Sequence, residues 1–262
     1  MASITCAIDE GPSSLLAFTV TLREIVRPGD RVCAVHFFDD QESSPLRQTV
    51  ESWLATKIPG SEYSLCWEPL DDSYPETLFS AIDAVGTKLL VLGFHGETGP
   101  KKNPEILNRT LLAVFEAQLS FMTIKLAQYR APGFTWAICL DDSKNSLRAL
   151  QYTKNFIRTE SDRVIVLNVA RNVPERLQQD ISLKHRRLFD QLNASFVQLP
   201  APSKGAFVSE VILHYIQSRE VEVHFLILGR TGRRAQLEKT SLTGSVVSHM
   251  LKWATCNILV VA

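Results

Sequence analysis

The feature that most limits what this chain can fold into is an internal duplication. Ala7-Ile8-Asp9 reappears as Cys139-Leu140-Asp141, and the same offset of 132 residues pairs Ser14 with Ser146 and Ala17 with Ala149. The register continues through Val32-Cys33-Ala34-Val35-His36-Phe37 against Val164-Ile165-Val166-Leu167-Asn168-Val169, so two strand-like runs and the segment between them occur twice. Leu89-Leu90-Val91-Leu92-Gly93 then matches Phe225-Leu226-Ile227-Leu228-Gly229 at an offset of 136. A last offset of 135 pairs Arg109-Thr110-Leu111-Leu112 with Gly244-Ser245-Val246-Val247 and sets Lys125 opposite Val260. The drift is what loop insertions between duplicated elements produce.

Between the strands the apolar spacing turns helical: Phe207, Val211 and Tyr215, then Leu177, Ile181, Leu188 and Leu192, share faces in the second copy. Leu46, Val50 and Trp53, with Leu78, Ile82 and Val85, do so in the first. Near-continuous apolar strands such as VIVLNV and HFLILG, alternating with amphipathic helices, imply parallel strands covered on both faces. The expected fold is therefore α/β: two tandem doubly wound parallel-sheet domains, Rossmann-like and with a flavodoxin-like strand order. Gln128 to Thr135, with Pro132-Gly133, breaks both periodicities, which places the expected boundary between domains of residues 1–130 and 131–262.

Charge excludes some partners. Lys plus Arg and Asp plus Glu are 28 each, so no global field draws the chain to nucleic acid or to an anionic membrane. No apolar run approaches the roughly 18 residues that span a bilayer, and MASITCAIDEG has no basic region of the signal-peptide kind. A cytoplasmic location is expected. The five cysteines are scattered without CxxC spacing and read as reduced core thiols.

Ligands of open parallel sheets sit beyond the carboxyl ends of the strands. Asp141-Asp142-Ser143 follows one strand, and a carboxylate there can accept from an adenine amino group or a ribose hydroxyl. It can equally cap the next helix, as can Asp142 or Ser143. Gly229-Arg230-Thr231-Gly232 follows another strand, and Gly244-Ser245 opens a helix with Val247, Met250, Leu251 and Ala254 as apolar positions. Glycines admit an anion close to backbone amides, and a helix N-terminus adds unpaired N–H groups. Arg230, Arg233, Arg234 and Lys239 concentrate positive charge there, countered in part by Glu238. A glycine turn in a solvated basic loop is the plainer alternative.

The run GRTG, a spacer, GSVV and a closing NILVV strand resembles the G-x-x-G…G-S/T signature of ATP-binding universal stress proteins, and LDDSKNSLRAL resembles their opening segment. The resemblance is strongest over residues 134–262 and weaker over residues 3–127. It implies that Asp141 and the backbone of Val169 hold adenine and ribose, and that Gly229 and Gly232 line the ribose-phosphate path. Gly244, Ser245 and Val246 would surround the phosphates, and Leu228 and Arg230 complete the implied contact set. The ligand implied is ATP, AMP or ADP, with magnesium as a possible companion. The spacer Arg233–Thr243 is longer than the family's, and Val247 replaces a frequent small hydroxyl residue.

The resemblance also implies an intramolecular pseudo-dimer with one working site. Asp9, Gly93 and Gly96 persist in the first copy, but Arg109 stands opposite Gly244, and Pro100 and Pro104 remove backbone donors. Arg109 has a second reading as a cationic ligand, and His95 as a phosphate neighbour. Lys125 in the closing segment suggests a more exposed sheet edge, since lysine guards edges against promiscuous pairing. The functional expectation is a stress-response or signalling protein that acts through nucleotide-dependent conformation or partner binding, its partner being another protein or a second copy of the chain. It has no evident catalytic residue and at most slow ATP hydrolysis. A scaffold of the same fold that binds no nucleotide is the alternative.

Overall fold

An uninterrupted apolar strand must be covered on both faces, and a helix after each strand supplies that cover. The computed structural model describes residues 2–8, 11–38, 45–55, 60–69, 76–94, 109–128, 130–158, 160–169, 185–218, 221–232 and 244–262. The chain divides into two units, Met1–Ala127 and Gln128–Ala262. The first runs β1 (Ser3–Ile8), α1 (Pro12–Val20), β2 (Arg31–Phe38), α2 (Pro45–Ala55), β3 (Glu62–Pro69), α3 (Glu76–Ala84), β4 (Leu89–Gly93), α4 (Arg109–Glu116) and β5 (Ser120–Ile124). The second runs β6 (Thr135–Cys139), α5 (Lys144–Thr153), β7 (Arg163–Val169), α6 (Arg186–Leu192), β8 (Ala194–Leu199), α7 (Val208–Gln217), β9 (Phe225–Gly229), α8 (Ser245–Trp253) and β10 (Asn257–Val261).

All pairings within each unit are parallel, in the orders β3-β2-β1-β4-β5 and β8-β7-β6-β9-β10. The doubly wound class is as expected, but the order is the Rossmann 3-2-1-4-5 and not the flavodoxin-like 2-1-3-4-5. The cause is the third strand, which pairs outside the second. These strands, EYSLCWEP and ASFVQL, lie at the sheet margin and are only partly buried, so they lack the apolar run that marks their neighbours.

The ladders also correct the repeat register. The β1–β2 and β6–β7 pairs superpose at an offset of 132, Ser3↔Arg31 matching Thr135↔Arg163. The buried stripe of α4, Leu111, Val114 and Phe115, matches Val247, Met250 and Leu251 of α8 at 136, not 135. Arg109 is thus the counterpart of Ser245, both being the first residue of their helix. Gly244 is opposite Asn108, which lies outside the described residues. The closing strands pair at 137, Leu89↔Ser120 against Phe225↔Asn257, so Lys125 is opposite Ala262 and not Val260. Lys125 follows β5, its ammonium 4.0 Å from the centre of the Phe94 ring. Gapless comparison of short helices has few identities to fix its register; burial fixes it.

Two polar ties were duplicated with the fold. Asp30 accepts from the Ala2 and Arg27 N–H groups at 2.6 and 3.0 Å, and its counterpart Asp162 from those of Phe134 and Arg158, each at 3.0 Å. Asp162 adds the Trp136 indole N–H at 2.9 Å and a buried ion pair with Arg130. Burial alone would raise the Asp162 pKa; the backbone and indole donors and Arg130 outweigh it and hold the carboxyl below its usual value. At the opposite strand ends, His36 Nδ1–H donates to the Ile8 carbonyl at 2.8 Å, where Asn168 Nδ2 donates to Leu140.

Trp136 stacks on Phe225 with ring centroids 4.3 Å apart and stands at the centre of the second core. Burying each such aromatic or aliphatic side chain contributes roughly 1.5–3 kcal/mol. The cysteines are free; Cys6, Cys33 and Cys256 are buried, and Cys66 and Cys139 partly so. Burial pushes the Cys6 thiol up to about 12 and raises that of Cys139 as well, so neither supplies a thiolate near neutrality. Among the described residues no helix is long and apolar enough to cross a membrane.

Candidate functional site

The strand order puts a switch point between β6 and β9, because the chain crosses in opposite directions from β6 to β7 and from β8 back to β9. Asp141 leaves β6 and Gly229–Gly232 leaves β9 at this point. The parallel pairing of β6 with β9 brings the two candidate loops to the same end of the sheet. Val169 ends β7, one strand further along.

The turn after β6 settles who caps α5. Ser143 is the N-cap: its Oγ accepts from the Ser146 N–H at 3.2 Å. Asp141 is therefore not the cap. Its Oδ1 accepts from the Ser143 N–H at 3.0 Å, and its own N–H donates to Ser146 Oγ at 3.3 Å. Asp142, between them, has φ of 60°, in the left-handed region.

Three glycines answer three different contacts. A Cβ on Gly229 would lie 2.6 Å from the Asn145 carbonyl carbon and 2.7 Å from the Ser146 nitrogen, so this glycine lets α5 pack on the end of β9. Gly93 has the same relation to Ser13 and Ser14, at 2.6 Å. A Cβ on Gly232 would lie 2.9 Å from Asp141 Oδ2, which places the loop after β9 directly over that carboxylate. A Cβ on Gly244 would lie 3.4 Å from the Gly232 nitrogen and 3.5 Å from the Arg230 carbonyl oxygen. The Gly244 N–H donates to that oxygen at 2.9 Å, drawing the helix entrance against the strand exit.

Helix α8 starts at Ser245, exposed, with Gly244 as N-cap and no side chain capping it. Arg230 is partly buried, and desolvation lowers its pKa from the ordinary value; its N–H donates to the Val261 carbonyl at 2.8 Å. Leu228 is buried in the core, so only its backbone is on offer. Val246 is partly buried, while Val247 belongs to the buried stripe of α8, which makes it a packing residue.

Other contacts here had no signal in the sequence. Asn145 Nδ2 donates to Thr231 Oγ1 at 2.7 Å, tying the first turn of α5 to the loop after β9. His185 Nε2 donates to Asp142 Oδ1 at 3.2 Å, and Gln198 Nε2 reaches Asn168 Oδ1 and its carbonyl at 3.0 Å. Each joins elements distant in sequence. A groove of 490 Å³ lies elsewhere, between the end of β8 and α7, lined by Leu199, Glu210, Val211, His214 and Tyr215. None of the expected site residues lines it.

Asp9, His95, Gly96, Pro100, Pro104, Leu177, Ile181, Arg233, Arg234, Glu238 and Lys239 lie outside the described residues, as do the side chains of Arg109 and Thr110. Among the described residues no three His, Cys, Asp or Glu side chains gather as metal ligands.

Two Rossmann-ordered units, the second with glycines and an acidic turn at its switch point, define a tandem doubly wound α/β protein. No family model matches the sequence, and no curated protein does. Solved structures do. A universal stress protein from Archaeoglobus fulgidus superposes with a TM-score of 0.66 at 12% identity, over 99% of this chain and 97% of that one. A protein of unknown function from Pseudomonas aeruginosa PAO1 gives 0.64 at 15% identity, over 100% and 92%. The fold is that of a tandem universal stress protein.

Proposed function

We propose that the C-terminal unit binds an adenine nucleotide at the β6/β9 switch point and that the protein acts as a stress-response or signalling module through that occupancy. The observation that carries this reading is the contact of Gly232 with Asp141 beside Gly244. It joins a carboxylate acceptor, two glycines and the entrance of α8 at one strand end. Asp141 and the Val169 backbone would hold base and ribose. The backbone of Leu228, Gly229 and Gly232 would follow the ribose, with Gly244, Ser245, Val246 and Arg230 toward the phosphates. Gly232 and Gly244 carry no Cβ between the backbone of these loops and a ligand at the strand ends, so ATP, ADP or AMP is the ligand of this reading. Magnesium would enter with the phosphates.

The test is the nucleotide content of the purified protein after denaturation, compared with Gly244→Arg. Co-purified or added ATP bound by the wild type and lost in the variant supports the reading. An empty wild type that added ATP fails to stabilise, where a ligand at a hundredfold its dissociation constant stabilises by about 2.7 kcal/mol, overturns it. The alternative is a scaffold of the same fold that binds protein partners without nucleotide. It is favoured by Gly229, whose glycine is already accounted for by the packing of α5 and recurs as Gly93. Slow hydrolysis is assigned only if ATP turnover by the wild type disappears in Gly244→Arg.

A further inference from the structure

Asp142 is the hinge of the turn that aims Asp141. Its φ of 60° is a conformation that an L-residue adopts at a cost and glycine adopts freely. On one side of it Asp141 Oδ1 accepts the Ser143 N–H, and Asp141 Oδ2 lies against Gly232. On the other side Ser143 caps α5. Rotating Asp142 out of the left-handed region would swing Asp141 away from Gly232 or uncap the helix. The strained residue is tied to another element: His185, immediately before α6, donates from Nε2 to Asp142 Oδ1 at 3.2 Å. This pair is mostly shielded, with His185 14% and Asp142 24% exposed. The imidazole also lies beside the Phe189 ring, at 6.4 Å between centroids, which restricts it from its own helix.

We infer that His185 is a positioning residue: it clamps the left-handed Asp142 and thereby holds the Asp141 carboxylate facing Gly232 in the ligand-ready direction. The consequence for ligand binding rests on the nucleotide reading above; the clamp itself rests on the geometry alone. A glycine at position 142 would keep φ of 60° without help, so the clamp becomes dispensable in that background.

The experiment compares wild type, His185→Ala, His185→Gln, Asp142→Gly and the double variant His185→Ala/Asp142→Gly. Two quantities are read in each full-length protein: hydrogen exchange of the Ser143 amide, and the dissociation constant for ATP. His185→Ala is expected to speed Ser143 exchange by roughly ten- to a hundredfold, the net worth of one hydrogen bond to a charged group, and to weaken ATP by a similar factor. Gln, which keeps a donor, restores most of both. Adding His185→Ala to Asp142→Gly changes neither. Unaltered Ser143 exchange in His185→Ala, or an undiminished effect in the Asp142→Gly background, overturns the clamp. If the wild type binds no ATP, the nucleotide reading falls, and the exchange data still decide the clamp.

Discussion

Gly229 approaches Asn145 so closely that a Cβ added to it would sit 2.6 Å from the Asn145 carbonyl carbon. The obstacle is backbone on both sides, so neither partner can move as a side chain would. Gly229→Ala is expected to destabilise the second unit by about 1–3 kcal/mol through overpacking, with or without nucleotide. Gly93→Ala should do the same to the first unit, since Ser13 and Ser14 stand in the same place. Urea unfolding measures both. An Ala at 229 that lowers ATP affinity but leaves stability intact would show that this glycine serves the ligand and not the packing.

Gly232→Ala should behave in the opposite way. Its Cβ meets only the end of the Asp141 side chain, at 2.9 Å, which can turn aside at little cost to the fold. The expected outcome is a change in stability within about 0.5 kcal/mol. ATP affinity is expected to fall by tenfold or more, because the carboxylate is displaced from the switch point. Isothermal titration and thermal unfolding of the same sample separate the two effects.

Asp162 makes stability depend on acid. Its folded pKa is lower than the ordinary aspartate value of about 3.9, so the native state holds this proton less tightly than the unfolded chain. The stabilisation is fully present above about pH 4–5 and is lost as pH falls through the folded value. Asp162→Asn strands Arg130 in the core and should cost about 3–5 kcal/mol at neutral pH, while flattening the acid limb of the stability profile. Urea midpoints between pH 2 and 7 for the two proteins are the check; parallel acid limbs would remove Asp162 as the cause.

Ser143→Ala removes the side-chain cap of α5 and is expected to cost about 0.5–2 kcal/mol. Ser143→Asp keeps an acceptor at the cap, at the price of a larger side chain in a buried position, so its loss should be smaller. An alanine variant as stable as the wild type would show that α5 is held by the β9 contact alone.

The sequence by itself determined the duplication, the alternation of strand and helix, and the candidate loops. Those features are local: an apolar run such as FLILG or a glycine pair is visible wherever it lies. The marginal strands β3 and β8 were not legible, because a strand half open to solvent carries polar residues such as Glu62, Ser64 and Gln198 and loses the apolar signal. Their pairing outside β2 and β7 is what makes the order Rossmann-like. The register of α4 against α8 was likewise decided by which residues face the core. Within the candidate site, the sequence supplied Asp141, Gly229, Gly232 and Gly244 as residue types but not their separate contacts. Only the fold brings Asn145 against Gly229, Asp141 against Gly232 and His185 to Asp142, because each pair is joined across strands far apart in the chain. A residue's neighbours along the sequence set its conformational preferences; its neighbours across the sheet set whether a glycine serves packing, a carboxylate or a ligand.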